Sequence, residues 1–203
     1  PSVNVFDAMM HLTLRIAGYL VLFLGVHSSR VFADNARAAF IAAHGEKTWK
    51  GIYAILSIAG FVMVAYGYGE ARTAPLVLWT PPVWTRHATA LLTLPAFILV
   101  AAAYVPRNAI KARLGHPMLL GTKLWAAAHL LANGNVADVF LFGGFLVWAT
   151  LCLRAAKRRD RAAGTVYPAG GAAPTAIAVA VGAGAWAAFA FHLHAAWIGV
   201  RPF

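Results

Sequence analysis

The chain has 203 residues, 61% of them hydrophobic and only 11% charged, with a mean hydropathy of +0.69; this excludes an ordinary soluble domain, in which apolar residues make up about half. Seventeen Lys and Arg stand against six Asp and Glu, a formal charge of +11. No base-reading or phosphate-cradling motif accompanies them, so no nucleic acid partner is expected and the cations are assigned to membrane headgroups. The single cysteine, Cys152, excludes an intrachain disulfide and a Cys-x-x-Cys-His haem attachment.

Apolar runs fall at 12–33, 49–69, 86–105, 117–134, 136–156 and 174–198, each close to the ~20 residues that cross a hydrocarbon core of about 30 Å. The expected fold is all-α, a polytopic membrane helix bundle of about six transmembrane helices, with one transmembrane domain over 12–203. The chain opens on Pro, and residues 1–11 are expected to form a tail, native or appended. The first run has no basic segment before it and no small-residue cleavage site after it, so it reads as a retained helix.

Between the runs, the cations sort by side. Arg30, Arg37, Lys47 and Lys50 follow the first; Arg107, Lys111, Arg113 and Lys123 follow the third or open the fourth; Arg154, Lys157, Arg158, Arg159 and Arg161 follow the fifth. The other side has Arg72, Arg86 and Arg201, with Arg15 near the start of the first run. Thirteen against three predicts a bacterial inner (cytoplasmic) membrane protein with both termini outside the cytoplasm. "TAPLVLWTPPVW" (73–84) reads as an outer loop at headgroup level, "RNAIKARLG" (107–115) as a short basic helix on the inner surface, and "AAGTVYPAGGAAP" (162–174) as a linker.

Ionisable groups within membrane runs are candidates for function, because each is disfavoured there without a partner. Most here are histidines: His27 toward the inner end of the first run, His116 and His129 in the fourth, and His192 and His194 in the sixth. His44, His87 and His194 are assigned to ordinary hydrogen bonding or interfacial positions. Thirteen residues separate His116 from His129, a rotation of ~220° and a rise of ~20 Å, so the two cannot share one site. His129 shares a face with Thr122, Trp125 and Asn133; His116 shares one with Lys123.

A neutral imidazole ligates haem iron, and two histidines from different helices form a b-type site without covalent links. His27 and His129 are the pair considered, with "AAAH" (126–129) and Gly25 leaving room for a macrocycle. Arg30, on the face of His27, is positioned for a propionate, as is Lys123 by snorkelling. Trp125 would line the cofactor beside His129. Zinc is disfavoured by the lack of a tight His/Glu cluster, and no Ser-His-Asp set is indicated.

"LFLGVHSSR", "KGIYAILSIAGFVMVAYGYGEAR", "LPAFILVAAAYVP" and "HPMLLGTKLWAAAHLLANG" resemble, in order over roughly residues 17 to 160, the bacterial NnrU family, which is similar in turn to the plastid 15-cis-zeta-carotene isomerase. In that isomerase the histidines of the "HS" motif and of the "AH" end of the last stretch hold a b-type haem. The resemblance therefore implies His27 and His129 as iron ligands, haem b as cofactor, and His116 as an interfacial or supporting residue. It further implies a redox or isomerase-like role, linked to denitrification (nitrite and nitric oxide reduction) or to polyene cis-trans isomerisation. The implied partners are membrane lipids, a hydrophobic small molecule and denitrification enzymes.

The chain has Ala126 where the isomerase carries a Cys. An alternative from another class is a non-catalytic membrane accessory factor for denitrification enzymes. A lesser one is an isoprenylcysteine-type methyltransferase, since "HPMLLG" resembles the His-Pro-x-x-x-Gly start of that family; "KRRDRAAG" lacks the paired acidic signature expected later.

Overall fold

The computed structural model describes residues 2–202. The chain is helical in the order α1 (Ser2–His27), α2 (Ser29–Phe32), α3 (Asp34–His44), α4 (Glu46–Ala71), α5 (Trp84–Tyr104), α6 (Ala109–Leu114), α7 (Pro117–Ala132), α8 (Val136–Asp138), a π-helical turn Val139–Gly143, α9 (Gly144–Ala163), α10 (Ala172–Ala188) and a π-helical end Phe189–Ile198. Among the described residues the only β features are the isolated bridges Val77–Asn135 and Asn108–Gly171.

Among the described residues, five helices are long and apolar enough to cross a membrane: Asn4–His27, Glu46–Ala71, Trp84–Tyr104, Val136–Ala163 and Ala172–Ile198. The sixth predicted span is α7. At 16 residues it is about 24 Å long, short of the hydrocarbon thickness. Pro117 is its first residue, and the Asn133–Gly134–Asn135 turn stops it.

Two further differences from the sequence reading lie near the start. Helix α1 reaches back to Ser2, so the expected tail is helical wherever it is described. The segment after it, expected as a loop, contains α3. Its alanines favour helix, Asp34 in its first turn and His44 in its last suit the macrodipole, and Asp34 takes Arg30 and Arg37 at 3.7 Å each.

Many large apolar side chains lie outside, and alanines make up much of the buried set. Val21, Ile55, Ile58, Phe61 and Leu91 are each more than 60% exposed, whereas Ala96, Ala102, Ala126, Ala128, Ala149 and Ala178 are at or below 1%. That inversion suits a lipid solvent, in which helices associate by close packing of small residues.

The chain divides into two compact units, residues 1–80 with 134–148 and residues 81–133 with 149–203. In the first, α1 packs on α4. The buried stripe Gly60, Val64, Gly67 and Ala71 of α4 admits Phe23 and Tyr19; a Cβ on Gly67 would lie 2.6 Å from the Tyr19 ring. Farther along this interface Arg15 Nη1 meets Glu70 Oε2 at 3.0 Å. The loop after α4 is tied down by the amides of Leu78 and Trp79, which donate to Gly134 O, and by Val136 N, which donates to Leu76 O.

In the second unit α5 packs against both α7 and α10. Gly121 brings α7 against Ala96 O, and Gly182 brings α10 against the Ile98 backbone. Pro95 lies inside α5 and donates no hydrogen bond to the preceding turn. Just before it, Trp186 Nε1 donates to Ala90 O and Thr93 Oγ1, both at 3.1 Å. Thr89 Oγ1 donates to Ala128 O at 2.7 Å. Buried Asn108 closes the end of α5: its amide donates to Ala102 O and Val105 O, and its side-chain oxygen caps α6 at Lys111 N.

Candidate cofactor site

His27 is the last residue of α1. Its Nδ1–H donates to the Phe23 carbonyl one turn back at 2.7 Å. That bond selects the tautomer, so Nε2 carries the lone pair. Three rings surround the imidazole: Phe23 at 4.2 Å, Tyr53 of α4 at 5.3 Å and Trp148 of α9 at 6.2 Å, the last two edge-on. Three buried polar atoms of this unit have no hydrogen-bond partner: Glu70 Oε2, which has the Arg15 ion pair, and Trp148 Nε1 and Ser57 Oγ. A Cβ at Gly25 would meet nothing within 4 Å.

His129 repeats the arrangement in the second unit. Its Nδ1–H donates to Trp125 O at 2.9 Å, the indole ring of Trp125 lies 5.0 Å away, and Asn133 Nδ2 caps the His129 carbonyl at 2.7 Å. Both imidazoles therefore present Nε2 as the basic nitrogen, and both have the partner that ligating histidines ordinarily have on the other ring atom. The small residues before His129, read as room for a macrocycle, divide: Ala126 and Ala128 are buried, while Ala127 is exposed.

The remaining candidates separate. Arg30 is 56% exposed and leans toward Asp34. Lys123 is half-buried on α7, with no ion pair or hydrogen bond among the described residues. His116 caps the start of α7; its Nε2–H donates to Asp160 Oδ2 at 2.7 Å, and the Tyr167 hydroxyl donates to the same oxygen at 2.8 Å. Desolvation, then the bond to Asp160, push the Tyr167 phenol up to about 12. His116 thus binds the linker and the end of α9 to the start of α7. Of the histidines assigned to ordinary roles, His44 bonds Phe40 O and His194 bonds Val200 O.

Sequence reasoning did not single out Phe23, Tyr53, Ser57 or Trp148. A signal for three was present: Phe23 stands one turn before His27 on the same helix, and Tyr53 and Ser57 continue backward, at helical spacing, the stripe of small residues that faces α1. Trp148 had none, since its approach to His27 depends on tertiary packing. Among the described residues no three His, Cys, Asp or Glu are grouped to hold a metal ion.

Apolar helices of spanning length, lipid-facing large side chains and small-residue interfaces define a multi-pass, all-α integral membrane protein. Residues 15–202 match the family model described as NnrU protein, and the chain belongs to that family. The match extends past the motifs into the last helix. No curated protein and no solved structure matches the chain.

Proposed function

We propose that this NnrU family member is a haem b-binding protein of the inner membrane, with His27 and His129 as iron ligands and a redox or isomerase-like role linked to denitrification. One observation carries the proposal: the two histidines, in separate helices, each donate Nδ1–H to a carbonyl four residues back, the hydrogen bond that orients a ligating imidazole and fixes its tautomer. The residues around them fit such a group. Aromatic rings wall His27, Trp125 lies beside His129, and buried polar atoms near His27 lack partners within the chain.

Haem supplies one-electron and ligand-exchange chemistry at iron. The chain's part is to hold two imidazoles in one tautomer, to exclude water with apolar side chains, and to meet the propionates with cations. Lys123, half-buried on α7 and without an ion pair among the described residues, and Arg30, beside His27 in the chain, are the cations proposed for this. His116 acts at a remove, by anchoring the start of α7 through Asp160.

Oxidised and reduced absorption spectra of the purified protein test this reading. A Soret band is expected in the wild type, and its intensity is expected to fall at least tenfold in His27→Ala and in His129→Ala. A folded protein with no Soret band, even after haemin is added, would overturn the proposal in favour of a haem-free accessory factor.

A further inference from the structure

Resting on the haem reading, we propose that Trp148 and Ser57 form a carboxylate-binding pair that receives a haem propionate beside His27. The two atoms concerned, Trp148 Nε1 and Ser57 Oγ, are buried without a partner in the chain. An indole N–H is a donor only, so only an acceptor can satisfy it. A buried donor with nothing to bind is rare, because it has lost water and gained nothing.

Trp148 stands beside His27, and helical spacing puts Ser57 on the same face of α4 as Tyr53, which also borders His27. The Trp148 ring lies 6.2 Å from the imidazole, edge-on, and one turn earlier on the same helix Phe145 lies 6.0 Å from Phe23. On α4, Tyr53 lies 5.3 Å from His27, and a Cβ on Gly60 would lie 3.2 Å from the Phe23 ring. Ser57 is between these two positions on the face that packs against α1. A serine there would ordinarily donate to the carbonyl one turn back, as Ser28 does to Leu24 O; Ser57 does not.

The acceptor is a carboxylate because, of the groups at the edge of a haem, only propionate oxygens accept strong hydrogen bonds. The location agrees: His27 ends α1, three residues before Arg30, at the end of the span where a charged edge can stay hydrated. Trp148 and Ser57 would hold the propionate by neutral donors and so orient the macrocycle, rather than neutralise it.

The test measures the rate of haem transfer to excess apomyoglobin, for protein loaded with haem b and separately with haem b dimethyl ester, whose propionates are blocked. Trp148→Phe keeps an aromatic ring, smaller than the indole, and removes the N–H; Ser57→Ala removes one oxygen. With haem b, each variant is expected to lose haem about tenfold faster than wild type. With the dimethyl ester the ratio is expected to fall to within twofold, because the charged acceptor is gone. Unchanged release with haem b, as a buried water on these atoms would give, overturns the assignment, as does an equal acceleration with both macrocycles, which indicates packing. If Trp148→Phe does not fold, Ser57→Ala decides alone. Absence of a Soret band in the wild type would instead sink the haem reading itself.

Discussion

The Tyr167 hydroxyl donates to the same Asp160 oxygen that takes the His116 proton, so a helix start and a segment more than 40 residues later share one hydrogen-bond centre. The phenol is raised from its ordinary 10 to about 12, which means the folded protein holds that proton more tightly than the unfolded chain does. The stabilisation is complete below pH 10 and is lost as pH rises from there through about 12. In a near-ultraviolet titration, the difference between wild type and Tyr167→Phe should show one phenol with a midpoint near 12. In Asp160→Asn that midpoint should drop back toward 10, and a wild-type midpoint already at 10 would show that the cluster does not form. The same contacts explain Gly115: its φ is +73°, and a Cβ there would lie 2.8 Å from the Tyr167 ring. In the sequence, "HPMLLG" gave His116 a place at a helix start but no partner, since Asp160 and Tyr167 are 44 and 51 residues away.

Between helices, close approach is set by glycine. At Gly182 a Cβ would collide with Ile98 Cα and lie 2.8 Å from its backbone nitrogen; at Gly184, two residues on, it would meet nothing within 4 Å. Gly182→Ala should therefore destabilise the protein by about 1–3 kcal/mol in a reversible denaturant titration, while Gly184→Ala should stay within about 0.5 kcal/mol. Equal effects would mean that α10 does not pack on α5 through Gly182. Helix positions themselves were largely legible, because an apolar run of spanning length has few alternatives to helix in hydrocarbon. The exceptions have local causes. Helix α3 is alanine-rich but too polar to register as an apolar run. The π-helical stretches at Val139–Gly143 and Phe189–Ile198 follow from no periodicity in the residues.

For the molecule as a whole, the number of crossings depends on α7. Five helices of spanning length leave the termini on opposite sides; a sixth crossing by α7 returns them to the same side. We expect both termini outside, with α7 spanning by local thinning of the bilayer and with Lys123 reaching the headgroups. Single cysteines placed at positions 4 and 201 in a Cys152→Ala background should both react with an impermeant maleimide from the outside, and one at position 38 should not. Reaction of only one terminus would show that α7 does not cross. Composition by itself determined the solvent, since an apolar share this large cannot be covered by so few polar residues, and run length determined the helical class. The residues that resemble the NnrU family located His27 and His129, and the family match agrees with them as to family. Only the tertiary structure decided which neighbours those histidines have. Hydropathy says which residues avoid water but not which faces meet, so Tyr53 and Trp148 around His27, and Asp160 with Tyr167 on His116, emerge only once helices pack through their small residues.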